Sequence, residues 1–363
     1  MKKIITLLLT LFISLSAKES EETPYTLGEG LQVASLPLYL GGYFSLDYKR
    51  KPNEEKYEIE DFAILGYGSY EKISYITELE FKKLYVNANK NEERSVEQDT
   101  ALHVERLYST YNVNENYDLG VGKYNSPIGY WNLIPVNVLR DTSSIPITSF
   151  IIFPQYTTGV NASYNSYTDN DFRIDVMLQK NSDIDPKYNN YEINEHYGIG
   201  FTYAKNNFSL KFNAGVFQIV DYYNEDDEFN GKEHDGGDGD GDEDDIDKDF
   251  ETLTSSKHYY ALLSAKYDSD SFQVMGEIGS QRSKDDFITK YAGYVQSVYR
   301  FDEKHMAILR AESYDNQVSK IAENMAIVGY TYRPIYPIAI KTEYQFHSIS
   351  NNDTLLLSFS MMF

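Results

Sequence analysis

Cysteine is absent, tryptophan occurs once, and no apolar run after residue 15 is long enough for a membrane-spanning helix. The missing cysteines exclude a disulfide framework, thiolate catalysis and thiolate metal sites. Spanning helices are excluded because each needs about 20 apolar residues. Bases are also scarce, with 33 Lys and Arg against 56 Asp and Glu. With no basic stripe to neutralise phosphates, nucleic-acid binding is not expected.

Tyrosine and phenylalanine, by contrast, are abundant, at 34 and 19. Many of the tyrosines stand at or near the ends of segments in which apolar and polar residues alternate. Tyr combines an apolar ring with a polar tip, which suits the level of lipid headgroups. Mean hydropathy is -0.51. That value suggests a soluble secreted chain, but alternating strands average to mild polarity even when one face meets lipid.

The N-terminus has the layout of a secretory signal peptide. Lys2 and Lys3 precede a largely apolar run from Ile4 to Leu15, and Ser16-Ala17 offers a small-residue cleavage point. Residues 1–17 are expected to be removed, leaving 18–363 as one domain. The C-terminus reads Leu355-Leu-Leu-Ser-Phe-Ser-Met-Met-Phe363, with Leu355, Leu357, Phe359, Met361 and Phe363 on one face of an extended strand. An open apolar edge invites aggregation. A closing barrel strand avoids this, because its edge pairs with the first strand and its apolar face meets lipid. Phe359 and Phe363 resemble the assembly signal read by the barrel-assembly machinery of outer membranes.

Period-two stretches recur from residue 39 to the end, in sixteen segments. The connections alternate in length. Short turns such as Tyr70-Glu71 and Lys205-Asn207 alternate with long ones such as Tyr124-Gln155 and Val220-Lys257. The expected fold is an all-β, transmembrane antiparallel β-barrel of sixteen strands, with its N-terminus in the periplasm and its long loops outside. A soluble β-sandwich would give similar alternation, but not this unbroken series or the apolar final strand. Segment 99–113 is ambiguous: under strict alternation Glu105 and Arg106 face opposite sides, and neither suits lipid.

Within this frame, Gly122-Lys-Tyr-Asn-Ser-Pro-Ile-Gly-Tyr-Trp-Asn132 and the preceding His103-Val-Glu-Arg-Leu-Tyr108 resemble the phosphate-selective porin O/P-type superfamily of outer-membrane porins. The resemblance covers roughly residues 100–135. It implies a homotrimer of independent pores in the outer membrane of a Gram-negative cell, each with its third external loop folded inward as a constriction. Residues 124–155 are in the right place for that loop. They carry four of the ten prolines (127, 135, 146, 154), the only tryptophan (Trp131), and apolar runs that a water-exposed loop would not keep. The expected function is passive diffusion of small hydrophilic solutes or ions. The alternative is a non-conducting structural or adhesive barrel.

Selectivity in such a pore comes from the field at its narrow point. The candidate residues are Lys123, Arg140 and Asp141 around the third loop, and Glu78, Glu80, Lys82, Arg106, Arg173, Lys211, Arg310 and Glu312 on the wall. This mixture departs from the run of bases that a phosphate pore needs. No nucleophile motif and no His-Glu-x-x-His is present, so no enzyme activity and no cofactor are expected.

Residues 221–249 hold fifteen acids and two lysines, a net of -13 out of -23. This external loop (220–257) is expected to bind divalent cations diffusely and to bridge to lipopolysaccharide. Asp238, Asp240, Asp242 and Asp244 are candidates for an ordered cation site. An EF-hand alignment, however, puts Glu243 where Gly is required.

Overall fold

The computed structural model describes residues 25–91, 93–167, 170–221, 257–284 and 286–363. Residues 1–17, expected as a signal peptide, and Asp238, Asp240, Asp242 and Asp244 of the acidic loop lie outside the described residues.

Sixteen strands close into one antiparallel barrel: β1 (Tyr39–Lys51), β2 (Glu54–Tyr70), β3 (Ile73–Lys90), β4 (His103–Asn112), β5 (Tyr117–Asn125), β6 (Tyr156–Ser166), β7 (Asp171–Gln179), β8 (Glu192–Lys205), β9 (Phe208–Asp221), β10 (Lys257–Asp268), β11 (Phe272–Arg282), β12 (Phe287–Arg300), β13 (His305–Asn316), β14 (Ile321–Tyr332), β15 (Ile338–His347) and β16 (Thr354–Met362). The shortest have nine residues, which is about what a tilted strand needs to cross the hydrocarbon. Each strand pairs with its neighbours in sequence. β16 closes the ring on β1, from Leu355↔Arg50 to Met362↔Tyr43. Closure leaves no unpaired edge, the condition for a sheet in lipid.

Sidedness follows from period two and is inverted relative to a soluble protein. On β9, Phe208, Leu210 and Phe212 are exposed on the outer wall, whereas Lys211 and Asn213 are buried inside. β15 repeats the pattern, with Ile340 outside and Lys341 and Glu343 inside. Exposed Tyr70, Tyr117, Tyr167, Phe301 and Tyr336 mark the short-turn end of the barrel, where aromatic girdles meet the membrane interface.

Three short strand segments lie outside the ring. Tyr25–Thr26 and Gly30–Gln32 form a small hairpin, and the second of these pairs with the start of β1. The Tyr67 hydroxyl fixes this hairpin, donating to the Glu29 carbonyl at 2.5 Å. Glu93–Glu97 folds back along the end of β3, so β3 runs to Lys90, further than its alternation suggests.

Several register shifts break the strict alternation, and two of them turn extra charge inward. On β4, Leu79 pairs with Val104 but Glu78 pairs with Arg106, so Glu105 is an additional residue. Glu105 and Arg106 therefore both reach the lumen side, which corrects the expectation that they face opposite ways. On β2, Phe44 pairs with Phe62 and Leu46 with Ile59, so Glu60 and Asp61 share the place opposite Ser45. A bulge places two residues against one and re-aims side chains.

Candidate pore constriction

The third external loop, residues 126–155, is held by side chains from the inner wall. It has little regular structure: two 3-10 turns, Trp131–Leu133 and Asn137–Leu139, and one helical turn, Thr148–Ile151. A loop of this kind enters a closed space with most of its backbone polar groups unsatisfied, and each must find a partner.

The wall supplies those partners according to charge. Carboxylates take the loop's N–H groups. Glu277 on β11 accepts from Tyr130 N at 2.5 Å and Trp131 N at 3.3 Å. Glu312 on β13 accepts from Ile147 N at 2.9 Å, and Glu343 on β15 accepts from Ser143 N and Ser144 N. Bases take the carbonyls. Lys211 donates to Gly129 O at 2.9 Å, and Arg310 to Ser144 O at 3.0 Å. Lys341 donates to Asn137 O at 2.5 Å, and Arg333 to Val138 O and Arg140 O. Asn213 serves both roles, accepting from Gly129 N and donating to Pro127 O. Bonds to charged groups each contribute about 1.5–3 kcal/mol, so this set fixes the loop across half the circumference.

Apolar packing completes the seat. Ile128, Ile147, Ile152 and Phe153 of the loop form a buried cluster with Met177, Ile193, Phe217, Tyr260 and Leu262 from inside β7–β10. Nearer the short-turn end, Val136 and Val138 pack on Tyr43, Ala63, Leu65 and Ala339. Trp131 sits among Met275 and Tyr294, with the Arg310 guanidinium 5.5 Å from its ring centroid.

The fourth external loop, residues 180–191, is clasped beside it. Lys123, with no exposed surface, reaches Asp183 at 3.1 Å, Asp185 O at 2.7 Å and Tyr188 O at 3.1 Å. Gly122 precedes it at φ +124°, a conformation that favours glycine. Asp185 accepts from Val104 N at 2.9 Å and contacts His103, and Tyr188 donates to Glu80.

The wall of β1–β4 is rich in acid. Asp47, Glu58, Glu78, Glu80 and Glu105 are buried there, beside Glu60 and Asp61. Glu105 accepts from the hydroxyls of Tyr43 at 2.9 Å and Tyr156 at 2.6 Å. Arg106 pairs with Glu78, and the Lys82 ammonium lies 5.3 Å from the Tyr188 ring centroid.

The residues singled out from the sequence thus fall into four groups. Lys211, Arg310 and Glu312 seat the third loop, and Lys123 seats the fourth. Glu78, Glu80, Lys82 and Arg106 belong to the acid-rich wall. Arg173 pairs with Asp175 at 2.8 Å, near the start of β7. Arg140 folds its own loop, donating to Ile134 O at 2.8 Å and to Pro135 O. The Asp141 carbonyl accepts from Thr331 at 2.6 Å, and burial raises the Asp141 carboxyl above its usual pKa against the pull of Arg333, Arg300 and Lys341. Sequence reasoning missed the anchors Glu277 and Arg333 and the acids Asp47, Glu58, Glu60 and Asp61. For Glu277 the alternation of its strand signals an inward-facing acid, but not its partner in the loop.

No family model and no curated relative matches this sequence. Solved structures do match in fold. OmpF of Salmonella typhi, in complex with daunomycin, superposes at a TM-score of 0.57 with 11% identity, covering 90% of this chain and 97% of that one. The anion-selective porin of Comamonas acidovorans gives 0.56 with 8% identity, covering 90% and 99%. The outer-membrane channel DcaP of Acinetobacter baumannii gives 0.55 with 9% identity, covering 92% and 100%. The architecture is the sixteen-strand barrel of these outer-membrane porins, with apolar residues on its outer wall.

Proposed function

We propose that this chain is an outer-membrane porin, a water-filled channel for passive diffusion of small hydrophilic solutes or ions. The observation that carries this reading is a closed sixteen-strand ring with charge inside and apolar residues outside, crossed by a loop that inner-wall charges hold in place. The reading includes no bond chemistry. Within it, the third loop narrows the lumen and the acid-rich wall of β1–β4 supplies part of the field at the narrow point. The segments around Gly122–Asn132 favour a relative of the phosphate-selective O/P-type porins in a homotrimer, contacting lipopolysaccharide and inserted by the barrel-assembly machinery. The mixed wall argues against phosphate as the solute.

A second reading, a non-conducting structural or adhesive barrel, draws on the apolar cluster inside β7–β10, which fills part of the lumen. Planar-bilayer recording of the purified protein separates the two. The porin reading expects steady ohmic conductance, with closures in threes, and liposome swelling in small sugars. A folded protein that neither conducts nor swells liposomes supports the second reading instead.

A further inference from the structure

Among the described residues, one set of three carboxylates is close enough to share a metal ion: Asp47 on β1 and Glu58 and Glu60 on β2. Each offers an oxygen within 4.8 Å of the other two. The β2 bulge places Glu60 there, beside Asp61. Asp47 is 5% exposed, and its Oδ1 is buried without a hydrogen-bond partner. Its carboxyl also contacts that of Glu60. Two carboxylates in contact need positive charge between them, from a proton or a cation. Lys49 and Lys56 supply part of it: they close on Glu58 at 2.7 and 3.0 Å, and Lys49 also reaches Glu60 at 3.8 Å. Within this set, three carboxylates against two ammoniums leave a net of -1.

We propose that Asp47, Glu58 and Glu60 form a binding site for a hard divalent cation of the calcium class. Such ions take carboxylate oxygens at flexible geometry, and Asp47 keeps one buried oxygen, Oδ1, without a hydrogen-bond partner. The half-buried Glu60 and the partly exposed Lys49 give the site its access from the lumen. The two lysines hold affinity to the weak end of the calcium range, about 10⁻⁴–10⁻³ M. The site stands whether or not the barrel conducts.

Tyrosine-sensitised terbium luminescence tests it on the full chain in detergent micelles, with calcium as competitor. Folding is checked by heat-modifiable gel mobility. The acidic segment 221–249 is common to every variant, so the difference between variants isolates the wall site. A saturating, calcium-displaced component is expected in wild type and in Glu93→Gln, which alters an exposed acid elsewhere. It weakens about tenfold or more in Glu60→Gln and disappears in Asp47→Asn/Glu60→Gln. Superimposable titrations of folded wild type and Glu60→Gln overturn the proposal. The absence of any saturating component in wild type does so too, and assigns a shared proton to the Asp47–Glu60 contact.

Discussion

The guanidinium of Arg310 donates to the Ser144 hydroxyl at 2.6 Å, joining positions 166 residues apart in the chain. The same group reaches Thr142 Oγ1 at 2.9 Å and Ser144 O at 3.0 Å, and Arg310 Nε pairs with Glu312 at 2.6 Å. One wall residue therefore secures the loop's middle and neutralises the carboxylate that holds the loop at Ile147.

Arg310→Gln is expected to loosen the third loop without opening the barrel. Several bonds to a charged donor are lost and Glu312 loses its ion pair, a cost of about 3–5 kcal/mol for a buried pair. Single-channel recording should register larger, noisier conductance at normal yield of folded protein. Unchanged conductance would detach the loop from the constriction.

Phe363 extends the pairing that closes the barrel. Phe363 N donates to Gly42 O, and Gly42 N to Phe363 O, both at 2.8 Å. The Phe363 ring lies 6.3 Å from that of Phe62, on the lipid side. Phe363→Asp should block assembly, leaving only protein of unfolded mobility on unheated gels. Gly42→Ala should impair assembly as well, because an added Cβ meets the Ala63 carbonyl and the Phe363 ring.

Lys123 carries the fourth loop. Replacing it with Met keeps the volume but strands Asp183, whose side chain has no exposed surface. Leaving one partner of a buried pair costs about 3–5 kcal/mol. The expected outcome is protease cleavage within residues 180–191 under conditions that leave wild type intact.

Asp141 gives the third loop a pH dependence. Burial raises its carboxyl above the unfolded value, so the folded state binds that proton more tightly. Its favourable contribution is complete below the unfolded pKa and is lost as pH rises through the folded one. Asp141→Asn removes the ionisation, so its melting temperature should exceed that of wild type at about pH 8, with the gap closing towards about pH 4. Parallel melting curves at both pH values would assign the carboxyl no such burden.

How far the sequence reveals the site depends on alternation. Where period two runs unbroken, as along Phe208–Val216 or Leu355–Phe363, each residue's side is readable, and the β16–β1 pairing follows from the need to close the ring. Where a bulge intervenes, parity fails. Strict alternation from Tyr57 sends Asp61 outward and separates Glu105 from Arg106, whereas the folded strands bring all three inside. The partners of the third loop were unreadable for another reason. Nothing local to Glu277 or Arg333 signals that a carbonyl or an N–H some 146 or 195 residues away will need it.

The sequence by itself determined the sheet. Alternation, turn spacing and an apolar last strand are local properties, and a strand in lipid has no backbone solution other than pairing with its neighbours. Only the tertiary structure decided what the interior charges do. Lys211, Arg310 and Glu312 read from the chain as candidate selectivity residues of the pore wall. In the fold they hydrogen-bond backbone groups of the third loop, while two bulges add Glu60, Asp61 and Glu105 to the acids of β1–β4. That division depends on which segments meet across the ring, a long-range property that no window of sequence contains.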